Sequence, residues 1–318
     1  MELKHTHNSP GKAALRWLAH SLVITAFISF GTGCSIKRVA INTLGNALSE
    51  GVGAYATDDD IELVGQALPF GLKTIEGLLA EAPRHRGLLV AAASGFTQYA
   101  YAYIDLPAFE LQDRDPQRAR TLKLRAKRLY LRARDYGLRA LALRRPGFAD
   151  LLLRDTQPIL LDVTLEQLPE LYWTTVSWAA AIAADTQDMD LLVDLKLIDQ
   201  MIYRCLDLDA SFDEGAIHEF LIAFDGGRSS VQGGSLTRAR EHFAKAMQYG
   251  RARKVAPLVS LAEHVAVGEQ HKEEFERLLQ RALAFDVDNA PERRLANLVA
   301  KKRAAVLLSH VDDLFLGD

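Results

Sequence analysis

His218 and Glu219 stand side by side and open like H-E-x-x-H, the spacing that puts two imidazoles on one helix face around a zinc ion. Position 222 is Ile, so the second imidazole is missing and no metal site is expected. His264 and His271 lie two helical turns apart and read as helix ends. The loop Asp225–Gly234 is glycine-rich, but no Lys-Ser/Thr follows its glycines, so it fails as a phosphate cradle and reads as an extended connection. No G-x-S-x-G elbow and no Cys/His pairing points to a hydrolase. Cys205 lies among Leu191, Leu195, Ile198, Ile202 and Leu206 at helical spacing, the setting of a small core residue rather than a nucleophile. No catalytic constellation and no cofactor is indicated.

Aromatic residues are the more suggestive chemistry. Tyr99, Tyr101 and Tyr103 share one Ala-rich segment, and Tyr172, Trp173 and Trp178 share another. One reading is core packing against small neighbours. The sharper reading is an Ala-rich wall whose Tyr hydroxyls and Trp N–H groups line a pocket or pore for an amphipathic ligand.

The elements that would position these residues are helical throughout. In Gly233–Tyr249, Ser235 offers an N-cap, and Ala239, Phe243 and Ala246 recur at i, i+4, i+7. Small residues with one bulky ring suit the second helix of a tetratricopeptide hairpin, with Arg238, Arg240, Glu241 and Lys245 left in water. Further helices are expected from the acidic start Asp58–Asp60 to a break at Pro69, over Phe70–Glu81, and over Gly87–Ile104, with a loop around Pro107 and Glu110–Asp115. Gln117–Leu143 carries an unbroken stripe through Leu122, Ala126, Leu129, Ala133, Tyr136, Ala140 and Leu143. A second stripe, Leu124, Leu131 and Leu138, predicts a helix sandwiched between neighbours. Leu168–Ala184 is apolar nearly all round and should be buried or line a cavity. Met189–Leu208, Glu214–Phe224, Val255–Val267, Lys272–Phe285 and Pro291–His310 complete an all-α, tetratricopeptide-like array of helical hairpins, an α-solenoid, over residues 58–318.

The chain carries a formal charge of −3, which gives no global attraction to nucleic acid. Between Arg114 and Arg145, however, lie twelve Lys/Arg against two Asp. Aromatic interleaving is nearly absent there, so the run reads as a solvated or ion-paired face, or one that an acidic partner uses.

The amino terminus reads as an address. Lys4, Lys12 and Arg16 precede the apolar run Trp17–Phe30, which ends at Gly31-Thr32-Gly33-Cys34. That is the order of a bacterial export signal, with residues 1–33 removed. The Cys after small residues resembles a lipobox, with Gly31 where an aliphatic residue is usual. Cys34 is then the lipidated first residue of a tether and first helix over 34–57. Ser35 directs the anchor to the outer rather than the inner membrane.

Four ordered blocks carry a family resemblance: YAYIDLPAFELQDRDPQRARTLKLRAKRLYLRARDYGLRAL, LYWTTVSWAAAIA, HEFLIAFDGGRSS…GGSLTRAREHFAKAM and LANLVAKKRAAVLLSHVDDLF. Together they resemble TatT, the T component of tetratricopeptide-protein-associated TRAP transporters, from about Ser35 to Phe315. The resemblance implies a periplasmic, membrane-tethered helical-repeat protein that is not an enzyme and that partners a TRAP solute-binding protein. It also implies self-association around a ligand-accessible pore and a small apolar or carboxylated ligand. Tyr172, Trp173 and Trp178 fall in the matching aromatic block, and His218, Glu219 and Phe224 in the matching hairpin, which makes them expected lining residues. The alternative is a scaffold for envelope assembly with no small ligand.

Overall fold

The computed structural model describes residues 55–315, so Cys34, the export signal and the expected first helix lie outside the described residues. Among the described residues the chain is helical and contains no strand. The first helix, α1 (Ile61–Glu81), starts where the Asp60 carboxylate accepts the Leu63 N–H at 2.9 Å. It runs unbroken through Pro69, contrary to the expected stop. Val64, Leu72, Ile75 and Leu79 bury one continuous face, and that packing outweighs the lost backbone bond.

α2 (Arg86–Ala100) packs on α1 through Leu88, Leu89, Ala92 and Phe96. It does not end in a loop. A π-helical turn, Tyr101–Asp105, shifts the hydrogen-bond register just before Pro107 and leads directly into α3 (Leu106–Glu110). The turn is closed by the Leu106 N–H bonding to the Tyr101 carbonyl, so the proline enters at the start of a fresh helical turn, where its missing N–H costs little.

α4 (Pro116–Leu141) is capped by Asp115 and lies between α2 and α7 (Leu168–Ala184). Ala126 and Ala133 are fully covered, as their stripe predicts. In the second stripe Leu131 and Leu138 are half-buried, whereas Leu124 is 38% exposed, so only part of that stripe is sandwiched. Between α4 and α7, α5 (Phe148–Arg154) and α6 (Thr156–Leu161) form a short detour that Phe148, Leu152, Ile159 and Leu160 tie to the core.

α7 is buried on almost every face, including its polar residues. Thr174 and Thr175 donate to the carbonyls of Glu170 and Leu171, at 2.6 and 2.7 Å, so neither hydroxyl is left without a partner. The approach of α4 to α7 is set at Gly137, where a Cβ would stand 2.1 Å from Thr174 Oγ1 and 3.2 Å from the Thr174 Cα.

The expected helix Met189–Leu208 is two, α8 (Met189–Leu192) and α9 (Leu195–Leu208). The interruption lets Asp194 accept the Trp178 indole N–H at 3.0 Å. α10 (Phe212–Gly226) has left-handed backbone at Asp213, Glu214 and Gly215. Arg293 holds Asp213 at 2.6 Å, and Arg253 holds the Glu214 carboxylate. α11 (Leu236–Tyr249) buries Ala239 and Ala246 and half-buries Phe243, as its spacing predicts.

Two of its charges are not simply in water. Arg238 bonds Asp225 through Nε (3.1 Å) and Nη2 (3.0 Å), and Arg240 bonds both Glu269 and Glu274. The connection between α10 and α11 is likewise folded rather than extended. It includes a 3₁₀ turn at Ser230–Gln232 and wraps the fully buried Asp225, whose carbonyl accepts the Ser235 N–H. α12 (Ala256–Leu261) passes into a second π turn, Ala262–Ala266, and then come α13 (Lys272–Leu283), α14 (Arg294–Ser309) and α15 (Val311–Leu314).

α14 returns to the start of the chain. Arg294 donates to the Thr57 carbonyl at 3.0 Å, and Lys302 pairs with Glu110 at 3.2 Å. α14 also touches α1, so the carboxy-terminal part of the fold packs back on its beginning.

Gly137→Ala should cost about 1–3 kcal/mol, the usual range for overpacking, read as a lower urea midpoint at unchanged slope. Thr174→Ala in the same chain should recover only part of it, because the Thr174 Cα also stands in the way. No loss in Gly137→Ala would mean that the two helices are not this close.

Candidate functional site

The two π turns lie within electrostatic reach of each other, since Tyr101 on the first feels Glu263 on the second. The first carries Tyr101 and Asp105; the second carries Glu263 and His264. A π turn inserts one residue into a helix and re-aims the side chains on it, and such turns concentrate at functional sites.

Glu263 is gripped by Arg303 of α14, whose Nε lies 2.8 Å from Oε2 and whose Nη2 bonds Oε1. The same guanidinium lies over the Phe109 ring, 4.3 Å from its centroid. Phe109 in turn touches His310, whose Nε2 is 2.9 Å from Asp113. On the opposite wall Asp105 takes Lys123 at 2.6 Å on one oxygen and the Tyr130 hydroxyl at 3.2 Å on the other. Charges from the first π turn, α4, the second π turn and α14 thus neutralise one another within the fold.

Tyr101 sits at the middle of this group. It keeps 41% of its surface open, yet burial pushes its hydroxyl up to about 12, with Arg303 opposing and Glu263, Asp105 and Glu219 adding to the rise. His264 behaves alike: its side chain is 31% exposed, and burial lowers its pKa. Each side chain is thus partly open to solvent while its titrating end is desolvated by the surrounding protein. At neutral pH Tyr101 offers an O–H donor.

The remaining expected residues fall into three groups. Tyr99 and Tyr103 stack at 5.6 Å; Tyr103 lies where a Cβ on Gly65 would stand 2.5 Å from its ring, and its buried hydroxyl has no protein partner. Tyr172, Trp178 and Phe224 are covered to within 8% of full burial. Tyr172 donates to the Ala216 carbonyl at 3.4 Å, and Arg134 lies over the Trp178 ring at 4.8 Å. Half-buried Trp173 meets Tyr172 edge-on at 5.2 Å, and Arg228 covers Phe224.

His218 and Glu219 diverge. Glu219 pairs with Lys254 at 3.0 Å and contributes to the field at Tyr101. His218 is buried with its ring flat against Tyr249, and its Nδ1 is 2.9 Å from Nδ1 of His242 on α11. Burial lowers His218 to about 4, so one neutral imidazole donates to another. Sequence spacing missed this pair because its members lie on two different helices. It missed Glu263 and Arg303 for the same reason; the local signal at Glu263 is a charge inside an otherwise apolar run, whereas Arg303 simply ends the basic triplet Lys301-Lys302-Arg303.

Glu269, His271 and Glu274 place ligand atoms within 4.8 Å of one another, but Arg240 already bridges both carboxylates and fills the place of a cation. Cys205 is fully buried, and burial pushes its thiol up, as expected of an inert core residue.

The family model for the TRAP transporter T-component matches residues 57–315. The chain belongs to that family. It is also 30% identical over 302 residues to an uncharacterised protein of Treponema pallidum (strain Nichols), covering 89% of this chain and 94% of that one. Membership of the T-component family makes the protein an accessory component of TRAP transport, a family not known for enzymatic activity. No described helix is long and apolar enough to cross a membrane.

The interior pair gives a directional prediction. Burial alone raises the Glu263 pKa, but Arg303, then His264, overcome it and hold the carboxyl at about 2. A folded value below the unfolded 4.5 contributes stability that is complete above the unfolded value and is lost as pH falls through about 2. The contribution is on the order of 3 kcal/mol. Arg303→Met should cost about 3–5 kcal/mol by leaving Glu263 unpaired, and Glu263→Gln added to it should restore much of the loss. Equal urea midpoints for wild type and Arg303→Met at pH 7 would show the pair to be solvated.

Proposed function

We propose that this T component is a periplasmic subunit, anchored by lipid at Cys34 to the outer membrane, that docks the solute-binding protein of a TRAP system. Its interior recess then faces a small apolar or carboxylated ligand. The family supplies the transport context, and the observation that carries the reading is Tyr101 of the first π turn, partly open to solvent yet desolvated, near the Glu263–Arg303 pair. The helices form tetratricopeptide-like hairpins over residues 58–318, and copies of the chain associate around the recess.

Every interior charge near Tyr101 has a protein counter-charge, so no strong bare cation waits for an anion. A ligand there is held by apolar contact and by hydrogen bonds from neutral donors such as the Tyr101 hydroxyl, which suits transient hand-over better than tight storage. Glu219 belongs to this lining. Tyr172, Trp173, Trp178, His218 and Phe224 support it from behind.

A second reading, an envelope scaffold without a ligand, is favoured by the filled packing around Tyr172 and Trp178.

Titration of the purified mature protein with a TRAP solute-binding protein of the same organism should give a saturable complex with Kd below about 10 µM. A ligand extracted from that complex and lost in Tyr101→Trp would favour the transport reading over the scaffold. No association across that concentration range would contradict both the partner and the function.

A further inference from the structure

The long helix α4 turns a row of arginines outward. Arg118, Arg125, Arg128, Arg132 and Arg139 recur at steps of seven, three, four and seven, so they form one stripe, and all five are exposed. Arg118, Arg125 and Arg128 have no ion pair with any described residue. Arg132 has only a loose one, 3.6 Å from Glu76. Beside them lies a surface groove of about 400 Å³ between Arg128, Leu131, Arg132, Asp135, Tyr136 and Arg139, whose one carboxylate on this helix, Asp135, is paired with Arg134 at 2.9 Å. Other arginines of the protein are closely paired, among them Arg240, Arg303 and Arg293. An unpaired stripe on a chain of net charge −3 is a local excess that general solubility does not explain.

Three observations choose the occupant. Arginine presents a planar fork that grips phosphate oxygens in pairs, and the stripe contains no lysine. The chain also enters the fold beside it. The Tyr55 hydroxyl lies 3.7 Å from where a Cβ on Gly71 of α1 would stand, and Glu76, which touches Arg132 and Tyr136, follows five residues later. Finally, the twenty residues between Cys34 and Tyr55 carry Lys37 and Arg38 against Glu50 alone. That segment has the wrong charge to fill a basic groove, and fully extended it reaches at most roughly 70 Å.

We propose that the arginine face of α4 is a docking surface for the phosphate headgroups of the anionic bilayer in which the amino terminus is anchored. The anchor holds the protein near the surface; the stripe decides which face lies against it, leaving the opposite side for a protein partner. The proposal rests on the lipid-anchor reading for proximity, although arginine protection and anchoring are separate observables.

The test uses the full-length protein, reconstituted into vesicles of phosphatidylethanolamine with phosphatidylglycerol or of phosphatidylcholine alone. Arginines are labelled with phenylglyoxal and read by peptide mass spectrometry; flotation in high salt reports the anchor independently. Arg118, Arg125 and Arg128 should be labelled several-fold more slowly on the anionic vesicles, and the protection should vanish in high salt. Affinity for the anionic vesicles should also fall by about fivefold for each of Arg125→Gln and Arg128→Gln, and the protection with it. Equal labelling on the two vesicle types, whether or not the protein floats, overturns the proposal. So does protection that appears only when an acidic protein is added. Retention in high salt with equal labelling would leave the anchor standing and remove the docking face alone; loss of retention with selective protection would do the reverse.

Discussion

The structure depends on how closely α4 and α7 approach. α7 runs through the middle of the amino-terminal half with almost no free surface, and it does so because Gly137, Ala126 and Ala133 leave room on α4 while Thr174 and Thr175 satisfy their own hydroxyls on preceding carbonyls. Small residues here are the means of contact, since dispersion energy falls steeply with any added gap. With α2 and α4 fixed on α7, Tyr101 and Asp105 are fixed too, because their π turn continues α2 directly. The interior site is therefore positioned by helix packing rather than by a mobile loop.

That site has an unusual electrostatic economy. Asp105, Lys123, Glu263 and Arg303 come from four separate elements, and each finds its counter-charge inside the fold. Removing one partner is far costlier than its surface equivalent would be, since a buried charge then has nothing to answer it. The same cluster joins the two ends of the chain, because Arg303 belongs to the returning helix α14 and also covers Phe109 of α3. The outer face of α4 is the opposite case, with Arg118, Arg125 and Arg128 left without an ion pair among the described residues. One helix thus shows an inner side whose polarity is internally balanced and an outer side whose charge is open to a partner.

Much of the fold was legible because helical periodicity is local. The 4-3 stripe of α4, the all-round burial of α7, the Ala239-Phe243-Ala246 face and the inert Cys205 all follow from spacing alone. What was not legible depended on contacts between distant residues. Pro69 reads as a break, yet Val64, Leu72, Ile75 and Leu79 hold α1 through it. Pro107 reads as a loop, yet the π turn before it resets the register. Arg238 reads as a solvated charge until Asp225, thirteen residues earlier, is seen buried beneath it. At the site the sequence singled out Tyr101 as one aromatic among several. It gave no sign that Glu263, His264 and Arg303 stand around it, since charge partners separated by many tens of residues leave no periodic trace.

Tyr101 is the sharpest point of contact between this account and experiment. Site-resolved NMR of protein labelled at the tyrosine Cζ, combined with hydroxyl-radical footprinting, reads its ionisation and its access to water in one preparation. The account predicts that Tyr101 is oxidised readily, as an accessible ring must be, while its hydroxyl stays protonated to about pH 12. A Tyr101 that resists oxidation would be a filled core residue. One that ionises near the ordinary value of 10 would be simple outer surface. Either result would contradict an interior recess.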